Sequence, residues 1–405
     1  MKIYKGIILS LSLAICLLWS SYAQAATMGA KLAGKILLNV EQGGELWYVN
    51  PDNKQRYEVD KYEDLLAVAK KLAKPISEVD FQKIAQGGMP VVGDVVVAKK
   101  YAGRFVERNE RGGELWFVNL ADLKRYPLTD AVTALASIKK VAIGITRENL
   151  AHIHKPVFYE AVDQYSHYER QKITIRKETY TVDLVEIDLA NPNLRIITDS
   201  AQTATCKTNC QAKPLWSYIK STPKVFAAMN ATYFDTSVAK KNYYFFPVYN
   251  TKAGVFINDD QLKYWTTGPI IAFDQNNKMY YFKDSREFKS VADFEKKYNT
   301  KLAAAIGNKP RIIENYMNVL IDWEVDNKQL KQHSTKNALA YKNNKIYLVE
   351  VINATVPDLG EVLQAMYFEF AINLDGGGST AFFYNDEFLS GPGRDIPNAI
   401  LFATK

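Results

Sequence analysis

The spacing of apolar residues divides this chain into two stretches with different rhythms. In the first, Gly34-Lys35 precedes a short apolar strand, Gly43-Gly44 turns the chain, and Leu46-Trp47-Tyr48-Val49 runs on to a turn at Asn50-Pro51-Asp52-Asn53. Helical spacing follows over Tyr62–Leu72. Ser77-Glu78-Val79-Asp80 then opens a second short helix under a hydroxyl cap. The same order returns at an offset of 69: Gly103-Arg104, Gly112-Gly113-Glu114-Leu115-Trp116-Phe117-Val118-Asn119, a helical stretch over Ala131–Val141, and Thr146-Arg147-Glu148-Asn149. The repeat predicts two small α+β modules, at 30–98 and 99–152, followed by a polar, aromatic linker over 153–170. Two copies are too few for a solenoid and suit paired binding or spacer modules. Trp47 and Trp116 hold equivalent positions. Their size makes them the expected core of each module, and stacking on sugar rings is the alternative use.

From 171 to 405 the pattern becomes strand-rich. Runs at 172–188 and 194–199 read as strands, with a turn at Asn191-Pro192-Asn193. Further strand-like runs are 225–228, 254–257, 270–273, 278–282, 338–341, 345–351, 370–374, 381–384 and 399–402. Helical spacing of Leu359, Val362, Leu363 and Met366 marks a helix over 358–367, and another is expected over Val291–Tyr298. The expected fold class is α+β, a strand-rich mixed-sheet domain at 171–405 behind the two repeat modules.

Composition adds little beyond excluding classes. Hydrophobic residues are 47% and charged residues 23% of 405, which fits a globular chain and excludes a disordered or polytopic membrane protein. The net charge of +7 is spread along the chain without a block, so nucleic acid is a poor partner and an anionic polymer or phosphorylated substrate an equally good one. Residues 1–25 change the picture more. Lys2 and Lys5, an apolar run at 6–18 and Ala23-Gln24-Ala25 read as a cleaved export signal, leaving no stable membrane span and a secreted, cell-surface or periplasmic protein starting at Ala26. In an oxidising compartment Cys206 and Cys210 are expected to form a disulfide. Two cysteines among so few histidines do not complete a zinc site.

The sharpest chemical signal is Asn373-Leu374-Asp375-Gly376-Gly377-Gly378-Ser379-Thr380. An apolar strand delivers a carboxylate, then three glycines whose N–H groups approach an anion unobstructed, then two hydroxyls. Asp375 is placed to act as acid, base or nucleophile. No Gly-Lys-Ser/Thr follows, so this is not an NTPase phosphate loop.

This segment resembles the signature of the phosphodiester glycosidase family. Other segments similar to that family follow in its order: Met229-Asn230-Ala231-Thr232-Tyr233-Phe234-Asp235, Ile306-Gly307-Asn308-Lys309-Pro310, Leu359-Gly360-Glu361-Val362, and Gly393-Arg394-Asp395-Ile396-Pro397-Asn398-Ala399. The resemblance spans about 170–405. It departs at Lys336-Asn337-Ala338-Leu339-Ala340, where the family usually has Arg; lysine keeps the charge and loses the bidentate fork. The resemblance implies cleavage of a sugar-1-phosphodiester, with carbohydrate or a sugar-phosphate polymer of a surface glycan or cell wall as substrate. Asp375 and Glu361 are then the two carboxylates, with Asp235 a further candidate. Arg394 and Lys336 meet the phosphate, with His333 near Lys336 in sequence. Gly376, Gly377, Gly378 and Ser379 bind phosphate or a sugar hydroxyl, and Asn230 positions substrate. No organic cofactor is implied; acidic loops leave room for a divalent cation such as Ca²⁺, with no ordered ligand set visible. A non-catalytic glycan-binding protein on the same fold is the rival reading, and Lys336 favours it.

Overall fold

A computed structural model describes residues 27–41, 44–91, 93–108, 112–156, 165–244, 246–264 and 268–405. The expected export signal at 1–25 lies outside them.

The N-terminal part builds two four-stranded sheets. Ile36–Asn39, Leu46–Val49 and Arg56–Glu58 form an antiparallel meander, and Arg104–Arg108, Glu114–Val118 and Arg125–Pro127 form its counterpart. Neither sheet is completed by its own copy. Ile143–Ile145 adds in parallel to Ile36–Asn39, and Lys74–Pro75 adds in parallel to Arg104–Arg108. Each copy therefore lends its last strand to the other, and the sheets do not follow the expected bounds at 98/99. One core joins Ile36, Tyr48 and Leu65 to Phe105, Phe117 and Ile138. At its centre Gly34 and Gly103 touch back to back in left-handed conformations, φ 78° and 72°. A Cβ on Gly103 would lie 2.7 Å from the Gly34 Cα. The Tyr48 hydroxyl donates to the Gly103 carbonyl at 2.9 Å. Trp47 packs with Ile145, Leu150 and Ile153, and Trp116 with Ile76 and Phe81. Both indoles are buried, which makes them core residues and removes them as sugar platforms.

The C-terminal part has one seven-stranded and two five-stranded sheets, and with the helices packed on them the class is α+β. Every pairing between its named strands is antiparallel, where mixed sheets were expected. Neighbours such as Ser334–Lys342 and Lys345–Ala354 are joined by tight turns, and a tight turn reverses the chain. The expected single run at 172–188 is a hairpin, Ser166–Ile175 with Glu178–Asp188. Its turn lacks glycine, proline or asparagine; Arg176 reverses the chain at φ 56°. The strand Ser166–Ile175 also begins inside the expected linker, of which residues 157–164 lie outside the described residues.

The main core fills the space between the three sheets, with Leu348, Ile372 and Leu374 meeting Met229, Phe382 and Ile400, and Ile271 and Ile306. The other face of the seven-stranded sheet is covered by the helix Val356–Ala365, through Leu359, Val362 and Leu363 on Ala338, Val349 and Val351. This helix starts before the expected 358 because Thr355 and Asp358 form a capping box, with Pro in the first turn.

The N-terminal part docks on the hairpin Phe382–Tyr384 / Glu387–Ser390. Arg147 pairs with Asp386 at 2.6 Å, His154 Nδ1 meets Glu387 Oε1 at 2.5 Å, and the His152 ring stacks on Phe388 at 4.5 Å. Cys206 and Cys210 form a disulfide, with Cα atoms 5.8 Å apart.

The contact of the two glycines gives a test. Gly103→Ala should lower stability by about 1–3 kcal/mol, through left-handed strain and the clash with Gly34. Calorimetry showing an unchanged melting temperature would count against this packing.

Candidate active site

Several strand ends meet at one edge of the main core. Phe370–Leu374 delivers Asp375, Val225–Asn230 ends on Asn230, and Leu302–Gly307 leads to Asn308. Ser334–Lys342 contributes Lys336 and Asn337, and Asn398–Thr404 begins on Asn398. Five asparagines line this junction, Asn230, Asn308, Asn337, Asn373 and Asn398, all buried. Breaking off several strands at one place strands their terminal carbonyls and N–H groups away from water. An amide, with a donor and an acceptor on one short stem, satisfies both kinds.

The bonds bear this out. Asn230 Nδ2 donates to the Asp375 carbonyl at 2.7 Å, and Asn230 Oδ1 accepts from Ala381 N–H at 3.0 Å. Asn337 Nδ2 donates to the same Asp375 carbonyl at 2.7 Å. Asn308 Nδ2 holds the Asn373 carbonyl at 2.7 Å. Asn398 ties both to the Thr232 N–H and to its hydroxyl, at 2.9 and 2.8 Å. The Asn373 amide orients with Oδ1 accepting from the Tyr233 hydroxyl at 2.6 Å and Nδ2 donating to the Leu374 and Asn337 carbonyls. Asn230, expected to hold substrate, has both side-chain groups spent inside the protein.

Asp375 is 8% exposed. Its N–H donates to the Ala231 carbonyl at 2.8 Å, and its Oδ1 accepts the Gly376 N–H at 2.9 Å. Burial pushes its pKa up to about 6, against the opposing pull of the Ser379 hydroxyl, the Gly376 N–H, Arg394 and Lys328. Ser379 and Gly376 thus bind the carboxylate. Gly377 and Gly378 open a 3-10 turn over Gly377–Ser379, so their N–H groups have no partner within it. Crowding dictates Gly376, where a Cβ would strike the Thr335 carbonyl, and a left-handed φ of 58° favours Gly377; a Cβ on Gly378 would displace the Arg394 guanidinium. Arg394 is held over the turn by its own N–H, which donates to the Gly378 carbonyl at 3.0 Å.

Lys336 is largely buried, with Nζ donating to Ser334 Oγ at 2.7 Å and to the Gln332 carbonyl at 3.0 Å. An ammonium has three donors, so one is left. Burial lowers its pKa, and Lys328 adds to this while Asp375 opposes it. Lys328, on the helix Asn327–Lys331, had no expected role; its field reaches both Asp375 and Lys336.

Other expected residues lie apart. Glu361 sits on the helix covering the opposite face of the sheet, and its carboxylate is ion-paired with Arg176 at the hairpin turn. Among the described residues it shares no hydrogen-bond or ion-pair partner with Asp375, because its helix packs on the outer core, while the strand carrying Asp375 feeds the inner one. Asp235 caps its own turn by accepting from the Ser237 N–H at 2.8 Å. His333 meets the Asn353 carbonyl. Among the described residues no group of three His, Cys, Asp or Glu side chains is placed to hold a metal ion.

Asp375 links the site to stability. An acid whose pKa rises from 3.8 to about 6 on folding stabilises the fold fully below pH 3.8 and loses that contribution as pH rises through 6. Asp375→Asn, which keeps the acceptor for Gly376, should therefore raise stability above pH 6 by roughly 1–3 kcal/mol and change little near pH 4. Thermal melts of both proteins across this range decide it; a destabilised Asn variant at neutral pH refutes it.

Comparison with known proteins bears on these residues. No curated protein matches the chain. Among solved structures, a hypothetical protein from Synechocystis shares 13% identity over 60% of this chain and 62% of its own, with a TM-score of 0.47. This chain thus spans under two thirds of that protein. The catalytic domain of zebrafish N-acetylglucosamine-1-phosphodiester alpha-N-acetylglucosaminidase, auto-inhibited by its pro-peptide, shares 13% identity over 59% of this chain and 83% of its own, with a TM-score of 0.46. Residues 224–403 match the family model described as phosphodiester glycosidase, and that stretch includes Asn230, Asp375, the glycine turn and Arg394. Over residues 224–403 this chain carries a domain of the phosphodiester glycosidase family.

Proposed function

We propose that this protein hydrolyses sugar-1-phosphodiester bonds in a surface glycan or cell-wall polymer. One observation carries the reading most: a buried carboxylate with a raised pKa lies within the field of Arg394, Lys328 and Lys336, beside a turn of glycines. A lone buried carboxylate needs one counter-charge at most. Three cations suit a dianionic or diester phosphate brought in with the substrate.

In this mechanism Asp375 acts at the anomeric carbon, as nucleophile or as base toward the attacking water. The C1–O bond breaks, the oxygen leaves with the phosphate, and the products are a free sugar and a phosphomonoester. Phosphate is a good leaving group whose charge is met by Arg394 and the lysines, so the step does not need a second carboxylate as acid. This accommodates the engagement of Glu361 elsewhere. Arg394 offers the phosphate a planar fork; Lys336, tied at two of its three donors, offers a point charge. Ser379, Asn230 and Asn337 hold Asp375 in place.

The setting is extracytoplasmic in this proposal. The leader-like 1–25 and the Cys206–Cys210 disulfide support it, and the basic N-terminal part serves as a spacer or polymer-facing module. A second reading, glycan binding without turnover, is favoured by the lysine at 336, which lacks the bidentate geometry of arginine.

The deciding assay is hydrolysis of a panel of sugar-1-phosphodiesters by the full mature chain. Wild type should turn over at least one member, with kcat/KM falling on the acid side of about pH 6 as Asp375 protonates. Asp375→Asn should lose about 10³-fold or more in kcat. Saturable binding with no turnover on any member would move the assignment to the glycan-binding reading.

A further inference from the structure

A row of polar side chains crosses the inner face of the seven-stranded sheet and ends at the catalytic turn. Arg170 lies opposite Asp183, Asp183 opposite Glu350, Glu350 opposite Asn337, and Asn337 opposite Leu374, the residue before Asp375. Directly opposed residues share a face, with Cβ atoms about 4.5–5.5 Å apart. Asp183, Glu350 and Asn337 are each at most 2% exposed. The near end of the row is settled: Asp183 accepts Arg170 Nε and Nη2 at 2.7 and 2.8 Å and the Tyr168 hydroxyl at 2.7 Å. The middle is not. Among the described residues, Glu350 Oε2 and Asn337 Oδ1 are both buried without a hydrogen-bond partner. Two facing acceptors repel when both are bare, and one proton between them satisfies both.

We propose that Glu350 is a neutral, proton-bearing positioning residue whose carboxyl O–H donates to Asn337 Oδ1, and so fixes the Asn337 amide with its N–H groups toward the Asp375 carbonyl. Asn337 Nδ2 serves the Asp375 carbonyl, Asn230 Oδ1 and Thr380 Oγ1, at 2.7, 3.2 and 3.3 Å. The Asp375 carbonyl and Asn230 Oδ1 can only accept, so a flipped amide would face oxygen with oxygen at the base of the catalytic turn. A donor at Oδ1 forbids that flip. The groups facing Glu350 agree with a neutral form. On its own sheet these are Asp183, already charge-paired, and Arg170, committed to Asp183; Tyr168 is taken up by Asp183. From the hairpin packed against the sheet comes the Ser390 hydroxyl, a hydrogen-bond partner. Burial, with Asp183 adding, pushes the Glu350 pKa up to about 7, outweighing Ser390 and Arg170. Glu350 lies outside the segments that resemble the family, and its role rests on Asp375 being the working carboxylate only in its last step.

The test uses the full chain and Glu350→Gln, which keeps an N–H donor and a carbonyl acceptor and removes the titration. Infrared spectra from pH 5 to 9 should show in wild type a protonated-carboxyl band with a midpoint near pH 7 that the Gln variant lacks. The Asp375 band, with its lower midpoint, should remain in both. A pKa raised on folding costs stability as pH rises through it, so the variant should gain in melting temperature over wild type between pH 5 and 8. On a hydrolysed substrate the variant should keep kcat within about threefold at pH 6, and the fall in kcat above pH 7 expected of wild type, at unchanged KM, should be absent from it. Identical infrared spectra, or a Gln variant that melts lower and loses more than about tenfold in kcat at pH 6, would overturn the proposal by making Glu350 a needed charge. The spectra and melts need no substrate, so a failure of every phosphodiester to react would count against the proposed reaction and leave these readouts to judge Glu350.

Discussion

A carboxylate taken out of water at the end of a central strand governs how everything near it is arranged. Asp375 cannot be buried with loose polar neighbours, because each unpaired group in a dry place costs as much as a lost hydrogen bond or more. The chain meets this with amides. Asn230 and Asn337 converge on one carbonyl, Asn308 and Asn373 bind the strand ends beside it, and Asn398 ties in the segment after Asn230. Asn230, Asn308, Asn373 and Asn398 are therefore fixed before any ligand arrives, since an amide with both its donor and its acceptor filled has no second orientation. Catalytic groups benefit from such preorganisation, because the reorganisation has been completed on folding.

The same constraint explains which parts of the molecule could be read from the chain alone. Element existence was legible where periodicity and turn chemistry agreed: the strand before Asp375, the helix through Leu359 and Leu363, and both copies of the N-terminal pattern. The hairpin turn at Arg176 was not, since a left-handed arginine leaves no signature in composition. Strand exchange between the copies was also hidden; a repeat shows what pairs with the same kind of partner and says nothing of which copy supplies it. Within the site, Asp375, Arg394 and the glycines announced themselves as a motif. Asn337 and Lys328 did not, because an asparagine matters here only through burial, and a lysine on a short helix reads as surface until the fold brings it to a carboxylate. Glu361 misled for the converse reason. It adjoins the motif in sequence, while its helix lies on the far side of a sheet.

The two sides of that sheet divide the labour. The outer face is apolar under its helix and gives cohesion. The inner face is apolar around Leu348 and Ile372 and interrupted by one polar row, Arg170 to Asn337. The hairpin Phe382–Tyr384 / Glu387–Ser390 touches this row at Ser390 and receives the N-terminal part at Asp386 and Glu387. It also joins the glycine turn to the segment bearing Arg394, so the docking contacts bear on both ends of the site through one short element.

The exchanged edge strands have a consequence for how such a pair of copies can exist at all. A chain with a single copy would present Arg104–Arg108 or its equivalent as a bare edge, together with a short strand that has no sheet to join. Its simplest remedy is a second molecule of itself, each completing the other about a twofold axis where Gly34 and Gly103 now meet. Joined in one polypeptide, the two copies have the intimacy of an obligate dimer without its dependence on concentration. The unit is thus intact at any dilution.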